Sequence, residues 1–227
     1  MIAQKKLTIA LDGPAASGKS TTARLLAKKI GYIYIDTGAM YRAVTLAVLK
    51  KGADPSNKKE SVKIAQESRI ELKIIDGLQQ TFLNGSNVST EIRTPKIDQA
   101  VSLIASNGII REMMVIQQQA MAKKGGIVMD GRDIGTIVLP NADLKVFMIA
   151  SIEARAQRRL KDRQNHNISL EEIKKDIERR DHIDSTRSDG PLRKASDAKE
   201  LDNSGLSIEE QVDIILNWVK NLSTGEN

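Results

Sequence analysis

One stretch limits what this chain can become: Gly13-Pro14-Ala15-Ala16-Ser17-Gly18-Lys19-Ser20, set directly behind the apolar run Leu7-Thr8-Ile9-Ala10-Leu11. The run predicts a strand. Behind the glycines, Ser20 to Ile30 predicts a helix with Ala23, Leu26, Ala27 and Ile30 on one face. Strand, glycine-bounded loop and helix in that order are the context in which a G-x-x-x-x-G-K-[ST] sequence cradles phosphate. The glycines let the backbone turn its N–H groups inward with no Cβ in the way, and the helix adds the positive end of its dipole. Lys19 then reaches the β- and γ-phosphates of a triphosphate, and the Ser20 hydroxyl is placed to ligate Mg²⁺. The candidate nucleotide site runs from Gly13 to Thr21.

Composition removes several alternatives. With 227 residues the chain suits one α/β domain carrying an insertion, or at most two small domains. It has no cysteine, so it builds neither disulfides nor thiolate metal sites, and its two histidines weaken a zinc site further. Residues 1–6 lead into the first strand without a signal-like segment, and no apolar run approaches the roughly 18 residues of a membrane helix. A soluble, cytoplasmic protein is the expectation. A net charge of +6 suits nucleic acid or a small anionic substrate, and aromatics at 3% leave few platforms for stacking bases.

Further along, Tyr32 to Ile35 predicts a second strand ending at Asp36-Thr37-Gly38, and Ala39 to Lys50 a helix carrying Tyr41 and Arg42. In parallel sheets ligands sit at the carboxyl ends of the strands, which puts Asp36 and Thr37 beside the phosphate loop. After a polar loop at 52–57 the pattern changes: a short helix over Glu60 to Glu67, then strands over Ile70 to Ile75, Gln80 to Leu83 and Asn87 to Thr90. The strands are divided by the turn pairs Asp76-Gly77 and Asn84-Gly85. This reads as a small antiparallel sheet inserted into the parallel fold, a substrate-side subdomain or a structural wing.

Thr94-Pro95 opens a helix continued by Val101 to Ser106, and Gly108 to Lys124 carries another with Ile110, Met113, Met114 and Ala120 as core positions. Ile127-Val128-Met129 is a buried strand ending in Asp130-Gly131-Arg132-Asp133-Ile134-Gly135-Thr136. Its acids belong on the ligand side, where Asp130 suits the water shell of magnesium; a polar turn with an internal Asp–Arg pair is the other reading. Leu144 to Ala150 is one more strand. The helix from Glu153 to Arg163 carries Arg155, Arg158, Arg159, Lys161 and Arg163, either a solvated face or a lid closing over a transferring phosphoryl group. His166 falls in the polar loop behind it. A capping box at Ser169 to Glu172 starts a helix to about Asp181, Lys199 to Asn203 is a last strand, and Ser207 to Leu222 a last amphipathic helix with Trp218 as core anchor. The tail from Ser223 is expected to be disordered.

A phosphate loop alone admits GTPases, motors and small-molecule kinases. No base-reading N/TKxD stretch is visible, motors are longer, and a compact chain with an arginine-rich lid points to nucleoside monophosphate kinases. At this point Ile9 to Pro14, Asp36-Thr37-Gly38-Ala39-Met40-Tyr41-Arg42, Glu91-Ile92-Arg93, Asp130 to Thr136 and Arg187-Ser188-Asp189-Gly190-Pro191-Leu192 together resemble the bacterial cytidylate kinases over nearly the whole chain. The inserted sheet sets those apart from shorter adenylate and uridylate kinases; Thr37 stands where serine is common.

The resemblance implies a P-loop kinase over residues 1–227: a parallel five-stranded sheet flanked by helices, an inserted CMP-side subdomain at 60–107 and a helical lid at 153–168. It implies ATP as phosphoryl donor, Mg²⁺, and CMP or dCMP as acceptor. Arg42, Arg132 and Arg187 would hold the acceptor phosphate near Thr37 and Tyr41, Ser102, Arg111 and Asp133 the cytosine, and Arg180 with Asp184 the ribose. Lys19, Arg132, Arg158 and Arg187 would act on the transferring group. Nucleotides are then the partners, with neither nucleic acid nor membrane, and the chain is expected to be a monomer. A kinase of another small acceptor and a nucleic-acid-stimulated ATPase are the competing classes.

Overall fold

The computed structural model describes residues 6–162 and 168–224; Arg163, His166 and the last three residues, on which expectations were placed, lie outside them. The chain runs β1 (Thr8–Asp12), α1 (Lys19–Ile30), β2 (Ile33–Asp36) and α2 (Gly38–Lys50). It then passes through α3 (Lys58–Gln66), the hairpin β3 (Ile70–Ile75) and β4 (Leu78–Leu83), the two-residue β5 (Ser86–Asn87) and a 3-10 turn at Glu91–Arg93. It returns through α4 (Pro95–Ala105), α5 (Gly108–Ala122), β6 (Ile127–Gly131), β7 (Leu144–Ile149), α6 (Ile152–Asp162), α7 (Leu170–Thr186), β8 (Lys199–Asp202) and α8 (Ile208–Thr224).

Five strands form one parallel sheet in the order β2-β6-β1-β7-β8. A strand covered on both faces reads as a continuous apolar run, and the central β1 buries Ile9, Ala10 and Leu11 completely. On one face α1 and α8 bring Leu26, Val212 and Ile215 against β1 and β7; on the other, Ala122 and the turn holding Ile134 and Val138 cover Ala10 and Met129. The register pairs Asp12 with Gly131 and Asp36 with Asp130, so Asp12, Asp36 and Asp130 finish neighbouring strands at one end of the sheet.

The inserted sheet is β3-β4-β5, antiparallel. Its turns need two left-handed residues each, and Asp76 (φ 53°), Gly77 (φ 74°), Asn84 (φ 51°) and Gly85 (φ 85°) supply them, the geometry of tight hairpins. Ile70, Leu83 and Val88 pack into the cluster of Met40, Val44 and Val48 of α2 with Ile104, Ile110 and Met114 of α4 and α5. The insert therefore shares a core with the helix that follows Asp36.

Several local expectations are corrected. Ala120 is exposed: the buried stripe of α5 is Ile110, Met114, Gln118 and Ala122, spaced by four, with the Gln118 amide on the Met40 sulfur at 3.7 Å. The third inserted strand stops at Asn87, because the Asn87 side chain accepts from the Ser89 amide and turns the chain. Helix α7 runs to Thr186, since Ile177, Arg180 and Asp184 continue its buried face. Trp218 is half-buried, with the Lys199 ammonium 5.4 Å from its ring, and Val219 takes the core position; α8 itself continues to Thr224. Among the described residues no helix is long and apolar enough to cross a membrane.

Candidate active site

The loop between β1 and α1 crosses the ends of the strands. Gly13 lies so close to the Met148 carbonyl of β7 that a Cβ there would overlap it. Ala16 (φ 58°) and Gly18 (φ 88°) are left-handed, the alternation by which successive N–H groups form an anion nest. The Ala15 amide is taken by Asp181 Oδ1 at 2.9 Å, and Lys19 Nζ rests on the Pro14 carbonyl at 3.0 Å. Burial, and after it the neighbouring Arg132, pulls the Lys19 ammonium down to about 7, against the opposing fields of Asp130 and Asp184. Such a lysine gains its full charge when an anion arrives.

Beside it, Ser20 Oγ donates to Asp130 Oδ2 at 2.7 Å and the Tyr34 hydroxyl to Oδ1 at 2.8 Å. Burial and the facing Asp36 push the Asp130 carboxyl up to about 6. Asp36 is tied from the insert: Arg93 pairs with Oδ2 at 2.5 Å, and the Gln79 side-chain amide bonds both main-chain groups of Asp36 as an added strand would. Thr37 Oγ1 donates to the Asp130 carbonyl at 2.8 Å. The donor set around Ser20 and Asp130 is all oxygen, and among the described residues no cluster of three or more His, Cys, Asp or Glu exists to cage an ion. That fits Mg²⁺, which keeps waters and takes phosphate oxygens rather than an all-protein shell.

At the far end, Arg111 and Asp133 form a buried pair, with Arg111 5.5 Å over the Tyr41 ring and a guanidinium nitrogen on the Ala105 carbonyl at 3.0 Å. Arg187 Nε holds the Gly190 carbonyl at 2.7 Å, and its other nitrogens lie 3.6–3.7 Å from Asp184 and Asp133. Arg132 Nε bonds Asp184 Oδ2 at 2.8 Å. The loop bearing Arg132 and Asp133 is held from below by Asp12, whose carboxylate accepts from the N–H groups of Ile134 (2.8 Å) and Gly135 (2.7 Å). Arg42 ends on Asp98. Arg180 is buried, and its Nε has no hydrogen-bond partner among the described residues.

On helix α6 three of the basic residues do not form a solvated face. Arg155, Arg158 and Arg159 sit at i, i+3 and i+4 and all turn inward. Arg155 reaches Asp181 and the Ala15 carbonyl, Arg158 the carbonyls of Ser17 and Asn203, and Arg159 Asp98. Asn203 and Gln211, both fully buried, continue that network to Ser17 and Thr22.

These groups surround one cleft of about 560 Å³. Residues 15–21, Thr37, Tyr41, Arg42, Ser102, Arg111, Arg132, Asp133, Arg158, Arg180, Asp184 and Arg187 all line it, and Gly13 and Pro14 do not. Sequence reasoning had assigned no part to Tyr34, Gln79, Asp98, Asn203 or Gln211. The only local signal for the inward face of α6 was the spacing of its three arginines. Nothing near Asp98 or Gln79 in the chain marks them, because their partners lie 43 to 61 residues away.

The family model described as cytidylate kinase matches residues 9–221. The chain is 49% identical to a protein named cytidylate kinase from Bacillus cereus (strain ATCC 10987 / NRS 248), and equally to one from Bacillus thuringiensis (strain Al Hakam). Each match spans 95% of this chain and 96% of the relative. Among solved structures, a gluconokinase from Sinorhizobium meliloti 1021 superposes with a TM-score of 0.50 at 14% identity, covering 98% of this chain and 96% of that one. At that identity the likeness concerns the fold.

Proposed function

The chain belongs to the cytidylate kinase family and is an ATP-dependent kinase of CMP and dCMP, and on that premise we propose how its residues divide the work. The observation that carries the division is one cleft with an anion nest at one end, a buried Arg111–Asp133 pair at the other, and Lys19, Ser20 and Asp130 between. The donor triphosphate lies along residues 13–21, where backbone N–H groups and Lys19 meet its β- and γ-oxygens. Lys19 regains its proton as the phosphates arrive, and stabilises the charge that builds during transfer. Mg²⁺, held by Ser20 with Asp130 in reach of its waters, would neutralise the bridging oxygens. Arg158, braced on Ser17 and Asn203, faces the transferring group from α6, which serves as the lid over 153–168.

The acceptor's phosphate meets Arg42, Arg132 and Arg187, with Thr37 and Tyr41 along its path, and the ribose lies by Arg180 and Asp184. Cytosine offers a donor at N4 and an acceptor at N3, which Asp133 and Arg111 satisfy, with Ser102 beside them. Uracil inverts both groups and would leave buried charges unpaired, a mismatch worth roughly 10⁴ in discrimination at hydrogen-bonding sites. The insert at 60–107 forms the acceptor-side subdomain. Nucleotides are the partners, not nucleic acid, and the enzyme works as a monomer in the cytoplasm.

A coupled ADP-release assay with AMP, CMP, dCMP, UMP and GMP tests this reading. CMP and dCMP should lead in kcat/KM, and Asp133→Ala should narrow the CMP-to-UMP ratio. An unchanged ratio would remove Asp133 from base recognition.

A further inference from the structure

Two arginines from opposite walls of the cleft end on the same carboxylate. Arg42 of α2 takes Asp98 Oδ1 and Arg159 of α6 takes Asp98 Oδ2, and their side chains are 13%, 17% and, for Asp98, 12% exposed. Arg180 belongs to the same group: burial first, and then Arg159, Arg42 and Arg132, push its guanidinium down to about 10. Arg42, Arg159 and Arg180 thus gather three guanidiniums around the Asp98 carboxylate. A phosphate monoester carries about −1.5 to −2 at neutral pH, a charge that guanidiniums at this end of the cleft attract.

A buried cluster of like charges is unfavourable unless anions compensate it. A carboxylate that bridges two guanidiniums does more than compensate, because planar forks bonded to its two oxygens are held in fixed directions. We propose that Asp98 is a positioning residue for the acceptor phosphate: by bridging Arg42 and Arg159 it holds an arginine of the lid helix at the acceptor end of the cleft before the acceptor arrives. Arg159 thereby parts company with Arg155 and Arg158, which the same helix sends to the phosphate loop. The inference rests on the acceptor being a nucleoside monophosphate.

The test uses Asp98→Asn, which keeps the size and removes the charge, and Arg159→Gln, each in the full chain. In Asp98→Asn the arginines lose one neighbouring negative charge, so inorganic phosphate, titrated calorimetrically without nucleotide, should bind about tenfold more tightly. In the same variant kcat should fall at least tenfold, because the forks are no longer aimed. Asp98→Glu should return phosphate affinity to the parent value. In Arg159→Gln the KM for CMP should rise about tenfold while the KM for ATP stays within twofold. Phosphate affinity unchanged or weakened in Asp98→Asn, or an Arg159→Gln enzyme whose KM moves for ATP instead of CMP, overturns the assignment. A parent enzyme with no preference for CMP in the acceptor panel would instead sink the functional reading, and the phosphate titration would still decide the role of Asp98.

Discussion

A glycine decides how closely the chain packs on the Arg111–Asp133 pair. Gly190 is left-handed (φ 55°), and a Cβ on it would overlap both Asp133 Oδ2 and Arg111. Its carbonyl also fixes Arg187 at 2.7 Å. Gly190→Ala should therefore push the pair out of register, a strain of about 1–3 kcal/mol, or roughly five- to 150-fold. The loss should appear in the KM for CMP with the KM for ATP nearly unchanged; equal losses for both nucleotides in steady-state assays would show that the effect is global. In the sequence Gly190 was legible only as part of a resemblance. Its reason is a left-handed backbone placed against two residues 57 and 79 positions earlier, and no local pattern carries that. Lys19 and Ser20 are the opposite case, since the roles proposed for them follow from a loop whose geometry eight consecutive residues specify.

At the scale of elements, α7 connects a surface cap to the centre of the site. Ser169 Oγ accepts from the Glu172 amide at 3.2 Å and Glu172 returns a bond to the Ser169 amide at 2.8 Å, a reciprocal capping box that the sequence announces. Three turns on, the same helix delivers Arg180 and Asp184 to the cleft and Asp181 to the Ala15 amide. Ser169→Ala should cost about 1 kcal/mol in chemical denaturation. Because the fraying is confined to the first turn, kcat/KM should stay within twofold. A larger loss of activity than of stability would mean that the start of α7 takes part in closure. Helix α6 teaches the complementary point: its basic run looks like a solvated face until tertiary packing supplies Asp181, Asp98 and the Ser17 carbonyl as partners.

For the whole molecule, concentrating charge at one end of the sheet has a cost that ligands offset. Burial pushes the carboxyls of Asp12 and Asp130 up to about 6, and pulls Lys19 down to about 7. For the two acids the folded pKa lies above the unfolded one, so the stability they lend is full below about pH 4 and lost as pH rises through 6. For Lys19 the folded pKa lies below the unfolded value of 10.5, so its penalty is full below about 7 and lifts as pH rises toward 10. These three groups together should make a local dip in the stability of the ligand-free enzyme between about pH 6 and 7, and ATP with Mg²⁺ should fill that dip. Thermal melts across pH, with and without nucleotide, check it, and a ligand-free maximum near pH 6.5 would contradict it. The individual core strands, the inserted hairpins and the phosphate loop were determined by sequence alone, because apolar runs, paired turn residues and a glycine-bounded loop act over a few neighbouring positions. The bridge at Asp98, the Gln79 clasp on the edge strand and the inward face of α6 were decided only by tertiary structure. Each is an interaction between charges or amides far apart in the chain, and their burial against one another gives them strength.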